Sequence, residues 1–222
     1  MFPLRDDQPR YSQSYITVLL IILNVVVFLF ETSLDDYSRN YFIAHYALIP
    51  GHFRPVTLLS AMFLHGGWMH IISNMVFLWA FGRSLEDAMG HGKFLLFYLL
   101  CGVAAGMTQV LLSAGSRVPT VGASGAIAGV MGAYLLQFPH ARIRTLIVLF
   151  IFITTADIPA MILLGYWFIT QLFNGVGAVG YSHVSEGGVA WFEHIGGFIA
   201  GMILVRTLGT QARMYRRPRV YW

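Results

Sequence analysis

Three short stretches of the sequence bring together residue types able to carry out acyl transfer: His65-Gly-Gly-Trp-Met-His70-Ile-Ile-Ser-Asn74, Gly122-Ala-Ser124-Gly125 and His194-Ile-Gly-Gly197-Phe-Ile-Ala-Gly201. A serine hydroxyl is a weak nucleophile until a neighbouring base takes its proton, and histidine is the usual base near neutral pH. The developing oxyanion then needs hydrogen-bond donors aimed at it. His70 and Asn74 are four residues apart and share one face of a helix, so both can point at a common atom. His65 lies about 140° further round and reads as part of the lead-in, tying loop backbone to the helix start.

The glycines around Ser124 and His194 give these residues a way to meet. With Ser124 at zero and about 100° per residue, Ala128, Gly132, Gly125 and Gly129 fall on one side, and Ile127, Val130 and Met131 on the other. A face of nearly bare backbone lets a neighbouring helix approach closely. His194, Gly197 and Gly201 form a matching stripe. Singly, Ser124 reads equally as a small packing residue and His194 as a ring bonded to nearby backbone. Together with His70 and Asn74 they supply a nucleophile, a base and two oxyanion donors.

Competing chemistries lack their parts. No His-Glu-x-x-His pair is present to hold zinc, and of the acidic residues only Asp157 is placed near a span, without a partner for an aspartyl mechanism. Ala126 stands where the Gly-x-Ser-x-Gly elbow needs its second glycine. No nucleotide fingerprint is present either. The expected enzyme therefore uses no cofactor and no metal, and binds no nucleic acid.

The elements that must position these residues are membrane spans. Of 222 residues 57% are hydrophobic and 11% charged, with a mean hydropathy of +0.66, against about 25% charged in an ordinary soluble domain. The single Cys101 excludes a disulfide framework. Apolar stretches predict spans at about 15–31, 68–81, 94–113, 123–138, 158–176 and 190–207. The fourth, 123–138, is short for a full crossing, as is a helix that starts inside the membrane beneath a loop lining a cavity. Residues 32–67 read as an interfacial loop, 83–93 as a polar knot between spans, and 145–155 as a re-entrant or surface segment. The glycine-rich 177–189 reads as a loop able to cap the site.

Six spans put both termini on one side. The tails and the loops after spans two and four then hold 11 of the 14 Lys and Arg residues, which by the positive-inside rule makes that side cytoplasmic. The fold expectation is all-α: one membrane domain over 1–222 with its core at about 15–207, multi-pass in the cell membrane, with short cytoplasmic tails at both ends.

These motifs, in this order and spacing, resemble the rhomboid intramembrane serine proteases. The likeness rests on His65, His70 and Asn74, on Gly122-Ala-Ser124-Gly125, on His194 to Gly201, and on flanking text such as Phe63-Leu-His-Gly-Gly-Trp-Met-His70 and Pro119-Thr-Val-Gly-Ala-Ser124. It implies a six-helix bundle, an active site opening to the extracytoplasmic side, a Ser124–His194 dyad without a third acid, and an oxyanion site of His70, Asn74 and the Ser124 N–H, beside Gly122. The substrates implied are transmembrane or membrane-anchored proteins. The chain departs from the family in carrying Ala128 where many relatives have a tyrosine stacked on the histidine. It also has Arg54-Pro55 in place of a Trp-Arg pair, and Glu193 beside the base, about 100° off the dyad face. The alternative is a catalytically silent relative that binds transmembrane helices; such proteins usually lack the serine or the histidine.

Overall fold

A computed structural model describes residues 2–149, 152–180 and 191–210. Its first long helix, α1 (Tyr15–Ser33), starts without a side-chain cap from Ser14, although the first turn of any helix leaves backbone N–H groups without partners. The missing acceptors come from far along the chain. Glu86 accepts from Ile16 N (2.9 Å), Thr17 N (2.8 Å) and Thr17 Oγ1 (2.7 Å), and Asp87 accepts from Tyr11 N and from both Ser12 N and Oγ.

Those carboxylates belong to the stretch read from sequence as a polar knot, and here the expectation is corrected. After α2 (Asp36–Tyr46) and the one-turn α3 (Thr57–Ser60), helix α4 (Trp68–Phe77) runs through a π-helical turn at Leu78–Gly82 into α5 (Arg83–Met89), whose residues from Ser84 to Met89 are buried. The wider turn adds one residue and so swings α5 by about 100° relative to α4. His70 and Asn74 can then face one neighbour while Glu86 and Asp87 face the start of α1. The break comes only at Gly90, whose φ of 81° no other residue adopts easily.

Residues 34–67 are largely helical turns. Asp35 caps α2 by accepting from Ser38 N at 3.0 Å, and Tyr37 and Tyr41 of α2 remain exposed. Further on, Leu48, Leu58 and Met62 seat against Gly102 and Gly106 of α6 (His91–Leu112), where an added methyl would collide with them.

The centre is α7 (Ser124–Gln137), buried continuously from Gly125 to Tyr134. At 14 residues it is about 21 Å long, less than the roughly 30 Å of a bilayer's hydrocarbon. It lies against α6 and α9 (Trp191–Leu208), with α8 (Ala160–Gly180) alongside. Small residues set the spacing: a methyl on Gly129 would stand 2.5 Å from Cβ of Cys101, and one on Gly201 would stand 2.5 Å from the carbonyl carbon of Gly129. Among the described residues, α1 and α6 are long and apolar enough to cross a membrane.

The chain is mostly helical but not all-α. β1 (Phe2–Asp6), β2 (Arg142–Leu149) and β3 (Phe152–Pro159) form an antiparallel sheet in the order β1-β2-β3. Of the stretch 145–155, expected as a re-entrant or surface segment, residues 145–149 and 152–155 lie on β2 and β3. The alternation is visible in Arg142 and Arg144 exposed against Ile143 and Thr145 buried, the two-residue period of a strand. Asp157 lies on β3, where it takes a two-pronged hydrogen bond from Arg144. Helix α8 extends to Gly180 through the first residues of the expected capping loop. The rest of that loop, 181–189, and the basic tail from Arg213 lie outside the described residues.

Candidate active site

Ser124 is the first residue of α7, delivered by a loop whose last turn needs Gly122. The backbone there has φ +127°, and a methyl on Gly122 would sit 2.8 Å from His70 Nε2, 2.9 Å from His70 Cε1 and 3.5 Å from Asn74 Nδ2. Only glycine suits that conformation, and only its bare Cα admits the two side chains of α4 over the loop. Gly122 N donates to Ala61 O (2.9 Å) and Thr120 pairs with Leu48, fixing the loop against the 34–67 region.

His70 Nδ1 accepts from Gly66 N at 3.4 Å. In neutral imidazole the other nitrogen then carries the proton, so Nε2–H is a donor facing Gly122 and the cavity. Asn74 Nδ2 is buried with no partner among the described residues. Two donors on one helix face thus converge beside Ser124 with capacity to spare.

From the other side, His194 of α9 places Nε2 2.8 Å from Ser124 Oγ. Its Nδ1 lies 2.8 Å from Gln171 Oε1 of α8. Trp167, one turn earlier on α8, lies beside the imidazole with ring centroids 5.7 Å apart. Ser124, His194, His70, Asn74 and Trp167 all line one cavity of about 490 Å³. Among the described residues its walls carry no carboxylate, and the buried acids Asp6, Glu31, Glu86, Asp87 and Glu193 are not among its lining residues.

The remaining sequence candidates are also placed. His65 is buried beside His70, ring centroids 5.2 Å apart, but it is its backbone N, donating to Glu31 Oε2 at 3.3 Å, that makes the tie. Its ring nitrogens have no partner among the described residues. Glu193 packs on Gly125, with its Oε1 2.7 Å from where a methyl would be, and makes no hydrogen bond to Ser124 or His194. Ala128 is buried in the core; aromatic neighbours of the histidine are Trp167, from another helix, and Trp191 of its own. Gln171 and Trp167 were missed in the sequence, although a lone amide in an apolar helix is the same signal that exposes Asn74.

The chain is similar to known proteins over most of its length. A family model described as Rhomboid domain matches residues 52–211. Rhomboid protein 1, mitochondrial, of Saccharomyces cerevisiae is 28% identical over 155 residues, covering 67% of this chain and 40% of its own. Rhomboid protease GluP of Bacillus subtilis is 32% identical over 155 residues, 68% of this chain and 26% of its own. RHOMBOID-like protein 5 of Arabidopsis thaliana is 38% identical over 81 residues, 36% of this chain and 26% of its own. The chain thus spans less than half the length of these three relatives. The matched region holds Ser124, His194 and the α4 face opposite them, and on that footing the chain belongs to the rhomboid family.

Proposed function

We propose that this chain is an intramembrane serine endopeptidase that cleaves transmembrane or membrane-anchored proteins. The observation that carries the reading is the 2.8 Å contact between His194 Nε2 and Ser124 Oγ inside a cavity furnished with two uncommitted donors. In the proposed reaction Nε2 takes the hydroxyl proton as Oγ adds to the scissile carbonyl carbon. The carbonyl oxygen becomes an oxyanion held by His70 Nε2–H, Asn74 Nδ2–H and the Ser124 backbone N–H. His194 returns the proton to the leaving amine, an acyl ester remains on Ser124, and water enters by the same steps in reverse.

The supporting topology is a six-span bundle folded as one unit over 1–222 in the cell membrane, with both termini in the cytoplasm. The distribution of 11 of 14 basic residues supports that orientation. The short α7 supports a nucleophile set below the membrane surface. Against the reading of a silent helix-binding relative stands a serine and histidine already in hydrogen-bond contact.

The test is cleavage of a fluorogenic transmembrane substrate by the purified protein in liposomes, wild type against Ser124→Ala and His194→Ala. Cleavage by the wild type alone supports the proposal. Three equally inactive proteins on several substrates favour the silent helix-binder, and equal cleavage by all three refutes the assignment of Ser124.

A further inference from the structure

His194 has two ring nitrogens and only one of them faces Ser124. The other, Nδ1, lies 2.8 Å from Oε1 of Gln171, a side chain on α8 that is 5% exposed. The orientation of that amide is set by its own helix. Gln171 Nε2 donates to Trp167 O and to Thr170 Oγ1, each at 3.3 Å, while the Thr170 hydroxyl donates to the same Trp167 O at 2.6 Å. With the nitrogen committed to these acceptors, the amide oxygen is the atom turned toward His194.

An amide oxygen only accepts. Nδ1 must therefore carry the single proton of neutral imidazole, and Nε2 is left as a bare lone pair facing the Ser124 hydroxyl. The opposite tautomer would set two acceptors against each other at Gln171, and at Ser124 it would make the hydroxyl an acceptor with no base for its own proton. We propose that Gln171 is a positioning residue for the reaction, fixing the tautomer and ring plane of His194 so that Ser124 meets an acceptor. The inference rests on reading Ser124 and His194 as nucleophile and base. No proton passes to Gln171. When His194 holds the serine proton, its second N–H remains on Oε1, so the charged ring keeps its place until it protonates the leaving amine. Trp167 flanks the same ring, so α8 constrains the base both in its plane and beside it.

The test compares Gln171→Met, which keeps length and loses the acceptor, with Gln171→Glu, which keeps an acceptor oxygen. Three readouts are used: kcat and KM in liposomes, the rate at which a fluorophosphonate labels Ser124, and the downfield imidazole N–H resonance of nitrogen-labelled histidine, assigned by its loss in His194→Ala. The expected result is a drop of about 10- to 100-fold in kcat and in labelling for Gln171→Met, by analogy with loss of the partner that orients a metal-bound histidine. KM stays within about twofold, the N–H resonance is lost or exchange-broadened, and Gln171→Glu recovers most of both rates. Labelling and resonance unchanged in Gln171→Met would overturn the inference while leaving the dyad intact. So would equal impairment in Met and Glu variants, which indicates a role in shape alone. A wild type that neither labels nor cleaves would instead remove the functional reading beneath it.

Discussion

Replacing Gly201 by alanine tests whether the approach of α9 to α7 is what brings His194 and Ser124 together. The added methyl would stand 2.5 Å from the carbonyl carbon and 2.6 Å from Cα of Gly129, and closer still to the carbonyl oxygen. Carbon atoms rest at about 3.5–4.0 Å, so the two helices must part by about 1 Å there. The obstacle is backbone, with no side chain to rotate away. If α9 moves as a unit, the contact between His194 Nε2 and Ser124 Oγ opens from 2.8 Å to about 3.8 Å, beyond hydrogen-bond range. A displacement of that size costs about 10²-fold in rate, and overpacking costs about 1–3 kcal/mol of stability. Intrinsic helix propensity works in the opposite direction, favouring alanine by about 1 kcal/mol, so a suitable control carries that gain without the clash. Gly165→Ala on α8 provides it, since nothing lies within 4 Å of its added methyl. The assays are fluorophosphonate labelling of Ser124 and thermal unfolding in detergent. Gly201→Ala should fall well below wild type in both, and Gly165→Ala should match or exceed wild type in Tm. Indistinguishable behaviour of the two variants would refute the argument from close approach.

Glu86→Ala strips the acceptor from Ile16 N, Thr17 N and Thr17 Oγ1; with a buried unsatisfied donor costing about 1–3 kcal/mol, Tm should drop by several degrees, and an unchanged Tm would mean that water caps α1 instead. Arg144 holds the Asp157 carboxyl below the usual carboxylate range, first by hydrogen bond. A lowered folded pKa gives stability that is present above the unfolded value of about 3.9 and fades as pH falls through the folded one. Because the two side chains are 44% and 43% exposed, that contribution is small: Asp157→Asn should match wild-type Tm at neutral pH, with any difference shrinking below about pH 4, and a gap that grows on acidification would reverse the sign. Finally, cleavage should be unaffected by EDTA; loss on chelation, restored by a divalent metal, would end the cofactor-free reading.

The sequence made the chemistry-bearing residues readable because lipid makes each one conspicuous. Ser124, His194, His70 and Asn74 stand in apolar text where a polar atom needs a reason, and the glycines beside them announce close approach. What escaped were interactions whose partners lie far along the chain. Glu86 and Asp87 looked like loop because their neighbours are charged, yet Glu86 caps a helix about 70 residues upstream and Asp87 ties down the segment that leads into it. Ile143 to Ile158 reads locally as an apolar run interrupted by polar residues. Its strand character depends on a hairpin and on β1, which no local window joins to it. Gln171 escaped for a different reason: its own helix turns the amide oxygen outward, but nothing in the spacing of α8 shows that this oxygen meets a histidine 23 residues later.

The pairing of β1 with β2 also sets a clock. Phe2 pairs with Leu146, and at a synthesis rate of about 5–20 residues per second the first strand waits roughly ten to thirty seconds for the second to be made. Asp87, which ties down Tyr11 and Ser12, arrives earlier. The N-terminal segment is therefore anchored at its inner end first and zipped outward into the sheet only once β2 has been made. Strand β1, made before its partner, is among the later parts of this half of the molecule to acquire structure, and until then it is exposed to whatever chaperone or protease is nearby.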